Sequence, residues 1–379
     1  MAKMGARSHP ALALLVLAAP LGLVVGAPAS AGADTVTAPT IRAAAQHGTL
    51  VTACPKPQPP GPVPPSPEAG TETEGAMPTP TVNFDGTSSI SGLPEPESEF
   101  PADPSGAPGP DDYVQTTNFS YTIFRKDGSV RCGPWSTNTF WQSLGSPCNE
   151  FVSDAVVLSD RDAGRWFVSR FGIAGLDSEE EDPPAVASSD HCFAISDTSD
   201  PTGSWQLYQF DISRQYFADY PKFGIWPDAY YMTANPNKIF SRTGVIAVAF
   251  DRAAMLAGRA DAKMVEFLVP AEGRKFGMLP ADRDGPAPPP RGSPGIFVQP
   301  RDTDLGFAPP DSLGIWSFHV DWFNPAASTF TMTGLETAAF DSNVCGGSQE
   351  CIPQPGTNQT VDSLTYGYLI VPGGLPQLR

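Results

Sequence analysis

From Asp111 onward, apolar and polar positions alternate with period two, in short runs separated by Asp, Gly, Pro and Ser. That period belongs to strands, and those separators are the residues that tight reversals use. The pattern predicts strands at Tyr113–Thr117 and Phe119–Arg125, closed by Lys126-Asp-Gly128. Ala155–Ser159 and Arg165–Phe171 read as a hairpin around Asp160–Gly164, and Cys192–Ser196 and Ser204–Ile212 as another around Ser199–Gly203. Ala229–Thr233, Ile239–Phe240, Val245–Phe250, Lys263–Pro270, Ile296–Gln299, Gly314–Val320 and Thr329–Thr333 continue the series, and Thr337–Phe340 is expected to begin one more unit. A single helical turn is expected at Arg252–Ala257.

One pattern recurs along these runs. It reads Gly109-Pro-Asp-Asp-Tyr-Val-Gln, then Ser153-Asp-Ala-Val-Val-Leu, then Trp226-Pro-Asp-Ala-Tyr-Tyr. Each copy sets an Asp at the head of a β-branched or aromatic run. Repeated small antiparallel sheets arrayed around an axis make a β-propeller. The expected fold is therefore all-β, a propeller of about five blades at roughly 40–50 residues each, the last one incomplete. Glu179–Ala187 and Asp282–Gly295 read as surface insertions.

The N-terminal third has a different composition. Residues 1–31 read as a signal peptide: Lys3 and Arg7, an apolar stretch Ala11–Val25, then a small-x-small site near Ala31. Residues 32–110 are rich in Pro, Gly and Ser, and the expectation is a disordered linker, with Asn83–Gly86 as a short docked strand. The propeller domain is assigned to 111–371 and a disordered tail to 372–379.

Charge narrows the partners. The chain has 23 basic and 41 acidic residues, a formal charge of −18. Such a surface repels nucleic acid and anionic lipid. No segment after residue 31 is long and apolar enough to insert in a membrane, so the product is expected to be secreted and extracellular. Six cysteines suit an oxidising compartment. Cys345–Cys351 encloses a short Gly-rich loop and is the first expected pair; Cys132–Cys148, flanking one aromatic loop, is the second. Zinc is disfavoured, because no Cys-x-x-Cys occurs.

At this point the chain resembles a group of secreted bacterial β-propeller proteins of unassigned function, loosely related to sialidase-like (BNR-type) propellers. The likeness rests on Asp103–Gln115, Asp160–Trp166, Asp200-Pro-Thr-Gly-Ser-Trp205, Tyr220–Tyr231 and Cys351–Pro355, and spans about residues 80–363. Asp200–Trp205 is similar to the Asp-box of sialidases with altered spacing, and such a box marks a hairpin, not an active site. The resemblance implies turns and strands and no particular activity. It fades near Leu364, where a truncated product lacking closing blades is one expectation.

The candidate ligand-binding residues are Asp112, Asp154, Asp228, Trp226, Tyr230 and His319. Asp112, Asp154 and Asp228 head the proposed inner strands, whose ends face a central channel. No cofactor is required by the sequence, but Asp154 and Asp228 together are candidate Ca²⁺ ligands through hard oxygens. Alternatively each Asp caps a turn. His319, in Trp316-Ser-Phe-His-Val-Asp-Trp322, sits among aromatics. Trp166, Trp205, Trp226, Trp316 and Trp322, with Tyr113, Tyr230 and Tyr231, are a candidate stacking floor for sugars. No Gly-x-Ser-x-Gly, His-Glu-x-x-His or phosphate-binding Gly loop is present. The leading reading is a secreted binding module for a polysaccharide or cell-surface protein. The alternatives are a sialidase-like glycoside hydrolase and a fragment without independent activity.

Overall fold

A computed structural model of the chain describes residues 36–55, 80–87, 103–118, 120–149, 152–174, 188–213, 216–238, 241–242, 244–270, 277–283, 285, 287–342, 350–353, 356, 358 and 360–362. Two short strands come first, β1 (Thr40–Ala43) and β2 (Gln46–Leu50). The first sheet is the meander β3 (Ser105–Pro108), β4 (Asp112–Thr116), β5 (Ser120–Arg125) and β6 (Val130–Ser136). A short helix, α1 (Asn138–Trp141), leads to the second sheet, β7 (Val152–Asp160), β8 (Arg165–Ala174), β9 (Ser188–Ser196) and β10 (Trp205–Ser213), with β2 added outside β10.

The third sheet is β11 (Phe217–Ile225), β12 (Tyr230–Lys238), the two-residue β13 (Ser241–Arg242), β14 (Gly244–Phe250) and β15 (Lys263–Pro270). Here β13 branches from β12, and β1 adds outside β15. Helix α2 (Arg252–Leu256) joins β14 to β15, with Asp251 capping its N-terminus, where a helical turn is expected from sequence. The fourth sheet is β16 (Leu279–Pro280), β17 (Gly295–Arg301), β18 (Ser312–His319) and β19 (Thr329–Glu336). A two-stranded ribbon follows, β20 (Glu350–Pro353) and β21 (Thr360–Asp362). All pairings are antiparallel and no sheet closes on itself. The leading strands meet in chain order: β3 against β7, β7 against β11, β11 against β16.

Strand composition explains why the sheets stack. Every residue of β14, Gly244–Phe250, is buried. Val245, Ala247 and Ala249 join a core with Tyr231 and Phe318, towards the fourth sheet. Ile246, Val248 and Phe250 join a core with Phe167 and Phe193, towards the second. In β9, Cys192 and Ala194 face the first sheet, while Phe193 and Ile195 face the third. A sheet apolar on both faces must be covered on both. The rings interlock across the seams, with Phe193–Phe250 centroids at 4.6 Å and Tyr231–Phe318 at 5.3 Å.

The seams also carry charge. Arg252 Nε and Nη2 donate to Asp160 Oδ2 at 2.7 Å and Oδ1 at 2.8 Å, and Tyr230 OH donates to Oδ2 at 2.9 Å. This buried fork ties the end of β7 to the start of α2 and to β12. Arg131 similarly bridges Asp112 in the first sheet and Asp200 in the β9–β10 turn, at 2.5 and 2.9 Å. Asp162, next to this fork, pairs with Arg283.

Several expectations are corrected. Residues 32–110 contain β1, β2 and β3, so part of that tract is ordered. Thr40–Cys54 holds no proline, and it covers sheet edges that would otherwise expose unpaired N–H and C=O groups. Asn83–Gly86 docks without forming a strand, the Phe84 ring lying 5.2 Å from that of Phe124. The disulfides are Cys54–Cys132 and Cys148–Cys192, each with Cα atoms 5.8 Å apart, and not Cys132–Cys148. Cys132 on β6 meets the ordered Thr40–Cys54 segment, while α1 and its following turn carry Cys148 onto β9. Cys345 lies outside the described residues, so the Cys345–Cys351 pairing is not observed. Ile239–Phe240 also lies outside them. Thr337–Phe340 begins no strand: Thr337 N donates to Asp311 O and Phe340 N to Asp311 Oδ2.

Two stability predictions follow from the seams. Removing one partner of a buried pair leaves an uncompensated charge, so Asp160→Asn should lower unfolding free energy by about 3 kcal/mol in urea titration. Adding Arg252→Met should restore part of that loss. Separately, His191 on β9 is fully buried, its ring 5.7 Å from those of Phe193 and Phe223. Neither ring nitrogen has a partner among the described residues. Burial pushes its pKa down to about 3. The unfolded chain takes up a proton below about 6.5 that the native state refuses. Stability should fall as pH drops from 6.5 towards 3, by about 1.4 kcal/mol per unit from this group. His191→Leu should flatten that slope; an unchanged slope would contradict the assignment.

Candidate functional site

The residues singled out from sequence fall at two ends of the leading strands. At one end lie the turns between the first and second strand of each sheet. Asp112 heads β4, the second strand of its sheet, and not an inner strand as expected from sequence. It is buried, and burial raises its pKa against the pull of Arg131. Asp228 precedes β12, again a second strand. The leading strands β3 and β11 contain Pro108 and Pro221, which disguise them as loops; a leading strand has a free edge, where proline is tolerated.

Asp228 Oδ2 accepts from Tyr231 OH at 3.0 Å, and its backbone carbonyl accepts from Trp322 Nε1 at 2.8 Å. Its Oδ1 is buried without a partner among the described residues. Burial raises its pKa, and the charge of exposed His319 opposes that rise. Asp228 and His319 are therefore brought together, with half-buried Trp226 beside them in sequence. Trp226 Nε1 is spent on Ala281 O at 2.7 Å. Tyr230 is buried and its hydroxyl is bound to Asp160, so it belongs to the seam.

Asp154 stands at the opposite end. It lies near the start of β7, six residues before Asp160, or roughly 20 Å along an extended strand. Its φ is 54°, at a bulge in the β7–β8 ladder. Asp103 and Tyr220, with φ of 40° and 55°, are the other non-glycine residues in the left-handed region among those described. All three converge. Asn118 Nδ2 donates to Asp103 Oδ2 at 3.0 Å, and Asn118 Oδ1 accepts from Asp154 N at 3.0 Å. Lys222 Nζ sits 3.3 Å from the Tyr220 ring centroid. Burial pushes its ammonium down to about 8, against the attraction of Asp154, Asp219 and Asp103. Backbone strain of about 1–3 kcal/mol per residue is tolerated where surrounding structure enforces it.

Asp154 and Asp228 thus belong to separate clusters. Among the described residues no three His, Cys, Asp or Glu side chains are grouped to hold a metal. The stacking floor is likewise mostly consumed by packing. Trp166, Trp205 and Trp316 are fully buried. Trp205 Nε1 donates to Pro201 O beneath the Asp200–Trp205 turn, which is a hairpin as its motif implies.

Two grooves remain open on the first sheet. One, of about 440 Å³, runs between the turns of the first and second sheets, past Lys126, Arg161, Arg165, Trp166 and Ser159. The other, of about 470 Å³, is lined by Phe84, Tyr113, Asn83, Gln115 and Arg125. Lys126 lies on the wall of both. Neither groove is visible in sequence, because each joins segments far apart in the chain. Mixed aromatic, amide and cationic linings can hold a polar ligand with flat faces.

Among the described residues no helix is long and apolar enough to cross a membrane. No protein-family model matches the chain, and no curated protein matches it. Among solved structures it is similar to the crystal structure of a protein from Bifidobacterium bifidum s17 provisionally assigned as an exo-beta-1,3-galactanase. That match has 10% identity and a TM-score of 0.25, and covers 62% of this chain and 88% of the other.

The Lys222 cluster yields a titration prediction. In an NMR titration the Lys222 ε-methylene should shift with a midpoint near 8, below an ordinary lysine. Asp154→Asn removes an attraction that favours the charged amine, so the midpoint should move down further. A midpoint near 10.5 in the parent chain, or an upward move in the variant, would contradict the arrangement.

Proposed function

We propose that the chain is a secreted binding module whose sheets stand as blades of an open, propeller-like array and whose ligand is a polysaccharide. The array reading is supported by the leading strands, which touch in chain order while each sheet meanders outward from them. Two disulfides suit an oxidising, extracellular setting. The observation that carries the ligand class is the pair of grooves sharing Lys126. One offers the Tyr113 and Phe84 rings beside the Asn83 and Gln115 amides, the combination that grips a sugar by its apolar face and its hydroxyls. Asp228 and His319 form the nearest thing to an acid–base pair, but Asp228 is held by Tyr231 and backs onto the Trp322 indole.

The test is affinity electrophoresis of the purified chain through a panel of soluble polysaccharides. At least one should retard it, and Tyr113→Ala should weaken that binding by about tenfold, the loss of one ring contact of about 1.4 kcal/mol, at a temperature where the variant is still folded by circular dichroism. Retardation by none of the panel, or retardation indifferent to Tyr113, would remove the polysaccharide reading. Release of reducing ends from the panel would instead favour a glycoside hydrolase.

A further inference from the structure

We propose that the groove between the first and second sheets is an anion-binding subsite, and that the polysaccharide is therefore an acidic one, its charge carried as carboxylate or sulfate. This rests on the reading above and goes further by naming the ligand's charge.

The lining of this groove contrasts with the chain that carries it. The protein has a formal charge of −18, yet the groove is walled by Lys126, Arg161 and Arg165 and by no carboxylate. The turn between β7 and β8 sorts its charges by side. Asp160 and Asp162 point to Arg252 and Arg283, away from the groove. Arg165 lines the groove itself, and its buried Nε has no hydrogen-bond partner among the described residues. That guanidinium is thus not neutralised by an acid among those residues, and an anion in the groove can meet its more accessible nitrogens. The planar fork of Arg165 suits the paired oxygens of a carboxylate or sulfate, and exposed Lys126 adds a mobile point charge. Ser159 supplies a hydroxyl, and the exposed pyrrolidine of Pro108 gives an apolar wall.

The continuity through Lys126 sets the ligand's form. A sugar ring against Tyr113 and an acid group at Arg165 would both neighbour the Lys126 side chain, so a linear glycan with acidic units suits the pair. An acidic peptide lacks the flat apolar faces that the Tyr113 groove accepts.

The experiment compares polygalacturonate with its fully methyl-esterified form, dextran sulfate with dextran, and polyglutamate as a non-sugar polyanion, using the full chain. Polygalacturonate or dextran sulfate should bind, each more tightly than its neutral partner, and the preference should shrink with added salt. Which of the two binds distinguishes carboxylate from sulfate. Arg165→Ala and Lys126→Ala should each weaken binding of the acidic form by about tenfold, and Arg165→Lys less, so that the preference for the acidic over the neutral form shrinks. Lys126 is exposed, so that variant keeps the test valid if Arg165→Ala folds poorly. Equal binding of acidic and neutral forms, unaffected by either variant, overturns the anion subsite and leaves the polysaccharide reading in place. Binding of polyglutamate alone, lost in Arg165→Lys or Lys126→Ala, keeps the anion site and overturns the sugar. Binding of nothing overturns both.

Discussion

Double-faced burial is the constraint on which this structure depends. Strands such as β14, with Val, Ile, Ala and Phe in unbroken succession, cannot present either face to water. The second and third sheets must therefore each lie between two neighbours, and the cores form in the seams between sheets and not inside any one of them. Stability is consequently shared. A sheet removed from the series would expose two apolar surfaces, its own and its neighbour's, and each buried aromatic in a seam contributes roughly 1.5–3 kcal/mol that exists only while both sheets are present.

Stacking in one direction solves the faces and leaves the edges. The outermost strands β10 and β15 would show open ladders, and here a segment from far upstream closes both: β2 on β10 and β1 on β15, with Cys54 then bonded to β6. One extended stretch therefore touches three successive sheets. It restrains the seams from outside, while Asp160 with Arg252, and Asp112 with Arg131 and Asp200, restrain them near the turns. These polar ties are directional where the aromatic contacts are not, and they fix how one sheet sits on the next.

What the sequence revealed follows the same division. Strands without an interior proline were legible: Lys263–Pro270 matches β15, and the hairpins around Asp160–Gly164 and Ser199–Gly203 lie where turn chemistry places them. The leading strands were not, because Pro108 and Pro221 suit a free edge and read as breaks. Nor were β1 and β2, since their partners lie more than 150 residues away and nothing local announces them. The aspartates were read as heads of inner strands, whereas Asp112 and Asp228 stand at second strands of their sheets. Asp103, Tyr220 and Lys222 entered only within stretches that carry the resemblance, and none was read as a site residue. Asp103 and Tyr220 are marked by left-handed backbone and Lys222 by its approach to the Tyr220 ring, and neither is written in residue type.

The turn from Asp160 to Arg165 shows how a structural element can also create a site. Its two acids are committed to Arg252 on α2 and to Arg283 beyond β16, and that commitment orients the turn. Once it is oriented, the adjacent Arg165 has no acid left to meet within the turn and faces a crevice that the first sheet lines with Lys126. Concentrating the acids of the turn in the seam thus leaves Arg165 to the groove. An acidic protein can in this way hold a local positive field without altering its net charge, provided the seam that fixes the turn stays intact.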